Sequence, residues 1–440
     1  MSDALFTDLY ELTMADAYLA EGMEGTAVFE LFFRRLPPDR NFAIAAGLDG
    51  CLDFLEHLRF EEEDVAWLRR LGRFSDRLLD ALAGFRFHGD VWAMPEGTPV
   101  FPNEPLLQVV APILEAQLVE TALLARVHVE TLIASKAARI VHAARGRMVV
   151  DFGARRAHGF DAAFALARSS WLVGAAGTSL VAAGRRWGIP IFGTMAHSYV
   201  QAHDTEREAF ERFARIHPGT TILVDTWDTL EGVRKVVSIL EADPDLRIDA
   251  IRLDSGDLAE LAIESRRILD EAGLGHVRIF ASSDLDEWAI EALLERGAPI
   301  DGFGVGTRMA TSLDAPSIDV VYKLVEYDGV GRAKLSTTKV LHPGRKQVFR
   351  EEADGVYVGD TLARHDERCP GTPLLRQVMK DGRRLEAGRE PLEACRARAL
   401  DAIARLPPAL RGLEPAGTPY PVRPTRALVE DLDRIRAARH

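Results

Sequence analysis

From about residue 146 to residue 307 the chain alternates short apolar runs with amphipathic stretches. RMVVDFGARR, PIFGT, TTILVDT, DAIRLDS, VRIFASS and DGFGVGT are rich in Val, Ile and Phe, and most precede a helical segment such as LEGVRKVVSILEA, LAELAIESRRILDEAG or DEWAIEALLERG. Continuous apolar runs that do not alternate with polar residues predict parallel strands buried on both faces by helices, in an α/β barrel or a doubly wound sheet. The flanking zones differ. Residues 1 to about 110 mix strand-like AVFELFFRRL, FRFHGDVWAM and LLQVVAP with helical VAWLRRL and FSDRLLDALAG, an α+β pattern, and a helical stretch over 113–145 leads into the regular zone. After about 330 the pattern gives hairpins (KQVFREEADGVYVG, LLRQVMKDGRRL), an extended EPAGTPYPVRP segment and a terminal helix. The division is therefore 1–130, an N-terminal α+β domain; 131–335, an α/β barrel; and 336–440, hairpins and helices packing on both.

Composition narrows the class. With 440 residues, 47% hydrophobic and 28% charged, the chain can bury a large core, and no apolar run reaches the length of a membrane span. Asp3, Asp8 and Glu11 stand where a secretion signal needs positive charge, so a cytoplasmic protein is expected. Three scattered cysteines, Cys51, Cys369 and Cys395, make neither a disulfide framework nor a metal knuckle. A net charge of −13 speaks against a nucleic-acid surface while leaving room for local basic pockets.

Every apolar run of the middle zone ends in polar or glycine-rich chemistry: FGARR, GTMAHS, DTWD, RLDSGD, SSD and GVGT. In a parallel barrel all carboxyl ends open on one face, where active sites gather. Helix capping by Asp and Ser accounts for such residues singly. It does not account for Arg252 before Asp254, or for His197 among small residues.

TDLYELTM, DFGARRAHG, GTMAHSYV, RLDSGDL and GFGVGT, in this order over about 300 residues, resemble the nicotinate phosphoribosyltransferase family of type II phosphoribosyltransferases. The resemblance implies an irregular parallel α/β barrel with an additional α+β domain built from both chain termini. It also implies a homodimer with shared sites, and synthesis of nicotinate mononucleotide and pyrophosphate from nicotinate and phosphoribosyl pyrophosphate in NAD salvage, coupled to ATP hydrolysis, with Mg²⁺. Ala154 departs from the larger residue expected in DFGARR. A sibling enzyme using nicotinamide or another pyridine, and a silent nucleotide-binding sensor barrel, are the alternatives; the pair Arg155-Arg156 favours the acid over the amide.

Residue by residue, the resemblance gives Phe152, and Tyr10 from the partner subunit, as stacking groups, and Arg155, Thr194 and Arg252 as further nicotinate-binding residues. Gly304 and Gly306 lack side chains where backbone N–H groups must approach a phosphate, and Thr307 adds a hydroxyl. Ser283, Asp284, Asp254 and Asp257 offer hard oxygens for ribose, phosphate or Mg²⁺, the metal being expected on Asp254 and Asp257. His197 is the expected phosphoryl acceptor, with Asp225 fixing its tautomer from the next strand end. His158 and His203 are its rivals. No Gly-x-x-x-x-Gly-Lys-Ser/Thr loop occurs, so ATP must use the same pocket.

Overall fold

A computed structural model describes residues 3–335 and 341–438, and its contacts divide the chain into two compact units, one formed by the two ends of the chain and the other by residues 136–316. The first unit opens with helix α1 (Leu9–Glu21) and strands β1 (Thr26–Phe33), β2 (Asp90–Ala93) and β3 (Leu107–Pro112). TAVFELFF is buried from Ala27 to Phe33 because it is a central strand, paired antiparallel with β3 on one side.

The second unit carries strands β4 (Met148–Asp151), β5 (Gly177–Thr178), β6 (Thr220–Leu223), β7 (Ile248–Leu253), β8 (Arg278–Ser283) and β9 (Gly302–Val305). They form one sheet in the order β5-β4-β9-β8-β7-β6, every pair parallel. The expected α/β barrel is thus present in curled, incompletely closed form. PIFGT contributes less than a full strand: Ile191 makes one isolated bridge to Thr178, and the Thr194 hydroxyl donates to the Thr221 carbonyl on the far edge strand. Pro190 has no N–H to give to a ladder, which limits pairing there. His197 consequently begins a five-residue helix, His197–Gln201, and does not sit on a strand.

Three helices return the chain across this sheet: α2 (Thr229–Ala242), α3 (Leu258–Glu271) and α4 (Glu287–Glu295). Each starts on an aspartate whose side chain accepts backbone N–H groups of the first turn, Asp228 from Glu231, Asp257 from Ala259 and Glu260, Asp286 from Ala289. Such a cap is worth about 1 kcal/mol. Lys136 is buried between Glu287 (2.5 Å) and Asp314 (2.7 Å), and Arg139 also reaches Glu287 at 2.8 Å.

The chain then returns to the first unit through β10 (Val320–Tyr327), β11 (Lys346–Ala353), β12 (Val356–Arg364) and β13 (Arg376–Lys380). Strand β10 pairs with the free edge of β1, and β13 pairs with β2, so one sheet of seven strands draws on both ends of the sequence. The Asp354-Gly355 and Asp381-Gly382 dipeptides turn their hairpins with positive φ at both residues (51° and 78°, 48° and 71°), the geometry that Asp-Gly turns adopt most readily.

Candidate active site

The parallel register aligns Asp151 with Val305 and Val305 with Ser283, so the residues that follow them leave the sheet at one level. Around this mouth lies a cavity of about 620 Å³, the size of a small-molecule site. It is lined by ten residues expected from the sequence: Phe152, Arg155, Thr194, Arg252, Asp254, Ser283, Asp284, Gly304, Gly306 and Thr307.

On one side, Phe152 donates its N–H to the Val305 carbonyl (2.8 Å), and its ring lies over Gly304. A Cβ on Gly304 would stand 2.4 Å from the Phe152 ring, whereas one on Gly306 would meet nothing nearer than 3.6 Å. Gly304 therefore makes room for the aromatic ring, and Gly306 is the glycine that leaves backbone open. Arg155 and Arg156 follow in a single 3-10 turn at the cavity wall. Arg252, largely buried, reaches toward the Met195 carbonyl at 3.4 Å. Burial lowers its pKa, Asp254 and Asp225 oppose that shift, and the charge of Arg155 adds to it. Two guanidinium groups that repel each other across a cavity wall call for an anion between them.

On the other side, Ser283 is held at φ 131°, a backbone region that residues with a side chain rarely adopt. Asp284 is clamped by Arg308 at 2.6 Å, and Arg308 also holds the capping Asp286 at 2.7 Å. The Arg308 hydrogen bond keeps the Asp284 carboxyl below the usual range. Arg308 was not expected from the sequence; a cation directly after GVGT was its signal.

The histidine lies beside this cavity. His197 Nε2 is 3.9 Å from Asp254 Oδ2, and its Nδ1 is 3.2 Å from the Thr226 hydroxyl. Asp254 Oδ1 accepts from the Ser282 hydroxyl at 2.5 Å. The expected pairing of Asp225 with His197 is not formed. Asp225 turns into the sheet end, where Oδ2 accepts the Asp254 N–H (2.9 Å) and the Ser255 hydroxyl (2.7 Å), and the imidazole partner is the next residue, Thr226. Successive residues of an extended chain point to opposite faces, so a shift of one position exchanges the two roles.

Asp257, expected to hold the metal with Asp254, is not brought to the cavity. Both of its oxygens are engaged, one in capping α3 and the other with Arg296 at 2.8 Å, and it is absent from the cavity wall. Among the described residues no group of three or more His, Cys, Asp or Glu side chains is placed to hold a metal ion. Tyr10 belongs to the other unit, where it is 44% exposed on α1, with Met14 exposed one turn further along the helix and Phe6 exposed in the segment before it. His365 and Cys369 also belong to that unit. Ser179, Ser282 and Thr226 are functional candidates that sequence reasoning passed over; the hydroxyls next to expected carboxylates and strand ends were the available signal.

Among the described residues no helix is long and apolar enough to cross a membrane. Residues 5–128 match the family model for the nicotinate phosphoribosyltransferase (NAPRTase) N-terminal domain, and residues 148–346 match the NAPRTase family itself. The chain is 58% identical to the Mycobacterium tuberculosis protein named nicotinate phosphoribosyltransferase pncB2, over 99% of this chain and 94% of that one. It is 43% identical to the Bacillus subtilis nicotinate phosphoribosyltransferase over 85% and 78% of the two chains. Among solved structures, human nicotinic acid phosphoribosyltransferase superposes with a TM-score of 0.86 at 30% identity, covering 98% of this chain and 99% of that one. The strand-end cavity, the motifs around it and the near full-length similarity agree, and the chain belongs to the nicotinate phosphoribosyltransferase family.

Proposed function

We propose that the chain forms nicotinate mononucleotide and pyrophosphate from nicotinate and phosphoribosyl pyrophosphate, coupled to ATP hydrolysis through phosphorylation of His197. The observation that carries this reading is one cavity lined by an aromatic and cationic wall of Phe152, Arg155 and Arg252 and by a hydroxyl and glycine wall of Ser283, Gly306 and Thr307, the two meeting where Gly306 adjoins the Phe152 carbonyl. Nicotinate fits the first wall, its carboxylate between the guanidinium groups and its ring on Phe152. A carboxamide in that place would leave the cations without a counter-charge, which disfavours nicotinamide. The sugar phosphate fits the second wall. The pyridine nitrogen then gives its electron pair to the ribosyl C1 while the C1–O bond to pyrophosphate breaks, and pyrophosphate departs with the electrons of the broken C1–O bond. Asp254 lies where positive charge develops on the sugar.

Mg²⁺ suits this donor set, since it is held through one or two carboxylates and completes its shell with substrate oxygens and water. Asp254 Oδ2 would hold it. When bound, the ion offsets charge on the leaving pyrophosphate. Asp284 is already committed to Arg308.

In the tautomer that donates Nδ1–H to Thr226, His197 Nε2 keeps its lone pair, on the side of the cavity-lining Asp254. That nitrogen attacks the γ-phosphorus of ATP, the bond to the ADP oxygen breaks, and the phosphoryl group stays on the ring. A homodimer supplying Tyr10 to the partner's site accords with the exposed Phe6, Tyr10 and Met14, and a cytoplasmic location accords with Cys51, Cys369 and Cys395 forming no disulfide. The test compares nicotinate with nicotinamide, with and without ATP, in the wild type and in His197→Asn. The wild type should prefer nicotinate and acquire an acid-labile, base-stable label from γ-labelled ATP. His197→Asn should lose the label and ATP hydrolysis while transferring ribosyl groups to a less favourable end point. A labelled His197→Asn protein would move the acceptor to His158 or His203.

A further inference from the structure

We propose that Asp151 is a positioning residue for the pyridine wall of the cavity, fastening the segment that carries Phe152 and Arg155 to the segment that carries Ser179. This rests on the reading of that wall as the nicotinate site.

Asp151 is the last residue of β4 and is completely buried. Its Oδ1 accepts the Gly153 N–H at 2.7 Å, and its Oδ2 accepts the Thr178 hydroxyl at 2.7 Å. Thr178 Oγ1 accepts the Leu180 N–H at 3.0 Å, and the Asp151 carbonyl accepts the Ser179 N–H at 2.8 Å. One side chain thus fixes two adjacent strand-to-loop exits, and both exits supply cavity-lining residues. The Gly153 bond sets the turn into the 3-10 segment with Arg155, and this turn has little freedom. A Cβ on Gly153 would come within 2.7 Å of Leu166 Cδ2.

No basic side chain contributes to the ionisation of Asp151. Burial pushes its carboxyl up to about 6, with the Thr178 and Gly153 hydrogen bonds pulling the other way. A buried carboxylate without a cation weakens the fold, so stability alone does not explain its presence. The hydrogen bonding does. Gly153 N–H and Thr178 O–H are both donors aimed at the same group, and a carboxylate accepts on both oxygens. An asparagine in its place must turn its NH₂ toward one of them. Toward Gly153 it sets donor against donor. Toward Thr178 it forces the hydroxyl to accept twice, leaving the hydroxyl hydrogen without its acceptor.

The test uses the full-length enzyme with Asp151→Asn, Thr178→Val and Thr178→Ser, and the double variant Asp151→Asn/Thr178→Val. Asp151→Asn and Thr178→Val should each raise the nicotinate KM on the order of 10-fold, the size of one charge-assisted hydrogen bond. The KM for phosphoribosyl pyrophosphate and kcat should stay within about twofold, since none of the Asp151 and Thr178 side-chain hydrogen bonds reaches Ser283, Gly306 or Thr307. The double variant should be little worse than the worse single variant, Thr178→Ser should behave as wild type, and Asp151→Asn should melt at or above the wild-type temperature at pH 7. Equal losses in kcat and both KM values together with a lowered melting temperature, or a folded Asp151→Asn enzyme with unchanged nicotinate KM, would overturn the inference. If Asp151→Asn fails to fold, Thr178→Val decides by the same readings. A wild-type enzyme inert toward nicotinate would instead bring down the functional reading first.

Discussion

Replacing Gly304 with alanine asks which substrate the glycine serves. The added Cβ would stand 2.4 and 2.5 Å from Phe152 Cδ2 and Cε2, where carbon atoms pack best at about 3.5–4.0 Å. The ring must retreat by roughly 1 Å or more, because Gly304 lies in a strand paired on both sides and cannot itself give way. Its φ lies outside the positive region, so alanine adds no backbone strain and the effect belongs to the contact. Losing the seated ring should cost on the order of 1.5–3 kcal/mol of nicotinate binding, about 10- to 150-fold in KM. The assay is initial-rate kinetics with each substrate varied in turn. Nicotinate KM should rise while the KM for phosphoribosyl pyrophosphate stays within about twofold, and Phe152→Ala should reproduce the effect without adding to it. A rise confined to phosphoribosyl pyrophosphate would refute the ring-seat argument and restore Gly304 as part of a phosphate cradle.

Arg252→Ala should raise nicotinate KM about 30- to 150-fold, from loss of one charge-assisted contact of roughly 2–3 kcal/mol, and leave ATP hydrolysis in place; label release from ATP without nicotinate measures the second part. Ser283→Gly relieves a strained φ of 131° and should stabilise the fold by about 1 kcal/mol in thermal melts, while the missing hydroxyl weakens phosphoribosyl pyrophosphate binding. Asp151 sets a pH dependence: its folded pKa of about 6 exceeds the ordinary 3.8, so its contribution is fully present below pH 3.8 and lost as pH rises through 6. Between those values the wild type should lose about 3 kcal/mol relative to Asp151→Asn, and parallel denaturation curves at pH 4 and pH 7 would contradict this. Asp257→Asn should leave the Mg²⁺ dependence of the rate unchanged, because its carboxylate caps α3 and holds Arg296.

The strand-and-helix alternation was legible because it depends on burial, which apolar runs report directly. The site was legible at the level of strand ends, since parallel connections place all of them on one face. What the sequence left open was direction within each end. Asp225 and Thr226 are neighbours that exchange faces, and Asp254 and Asp257 read alike although one lines the cavity and the other caps a helix. Such choices depend on a fraction of a turn, and hydrophobic pattern carries no information at that scale. The contact of Gly304 with Phe152 was hidden for a related reason: the two lie about 150 positions apart, and the contact arises from the β4–β9 register alone.

The pairing of β1 with β10 has a consequence for biosynthesis. About 300 residues separate the two strands, and at a synthesis rate of roughly 5–20 residues per second the second leaves the ribosome some 15–60 s after the first. During that interval β3 can close one side of TAVFELFF, but the other side waits as an apolar ladder with unfilled backbone donors and acceptors. Residues 136–316, whose parallel sheet draws on no later sequence, can meanwhile acquire their native pairing. Nascent chains of this protein therefore carry a sticky edge until Val320–Tyr327 are made, and slow translation or early termination exposes it longest.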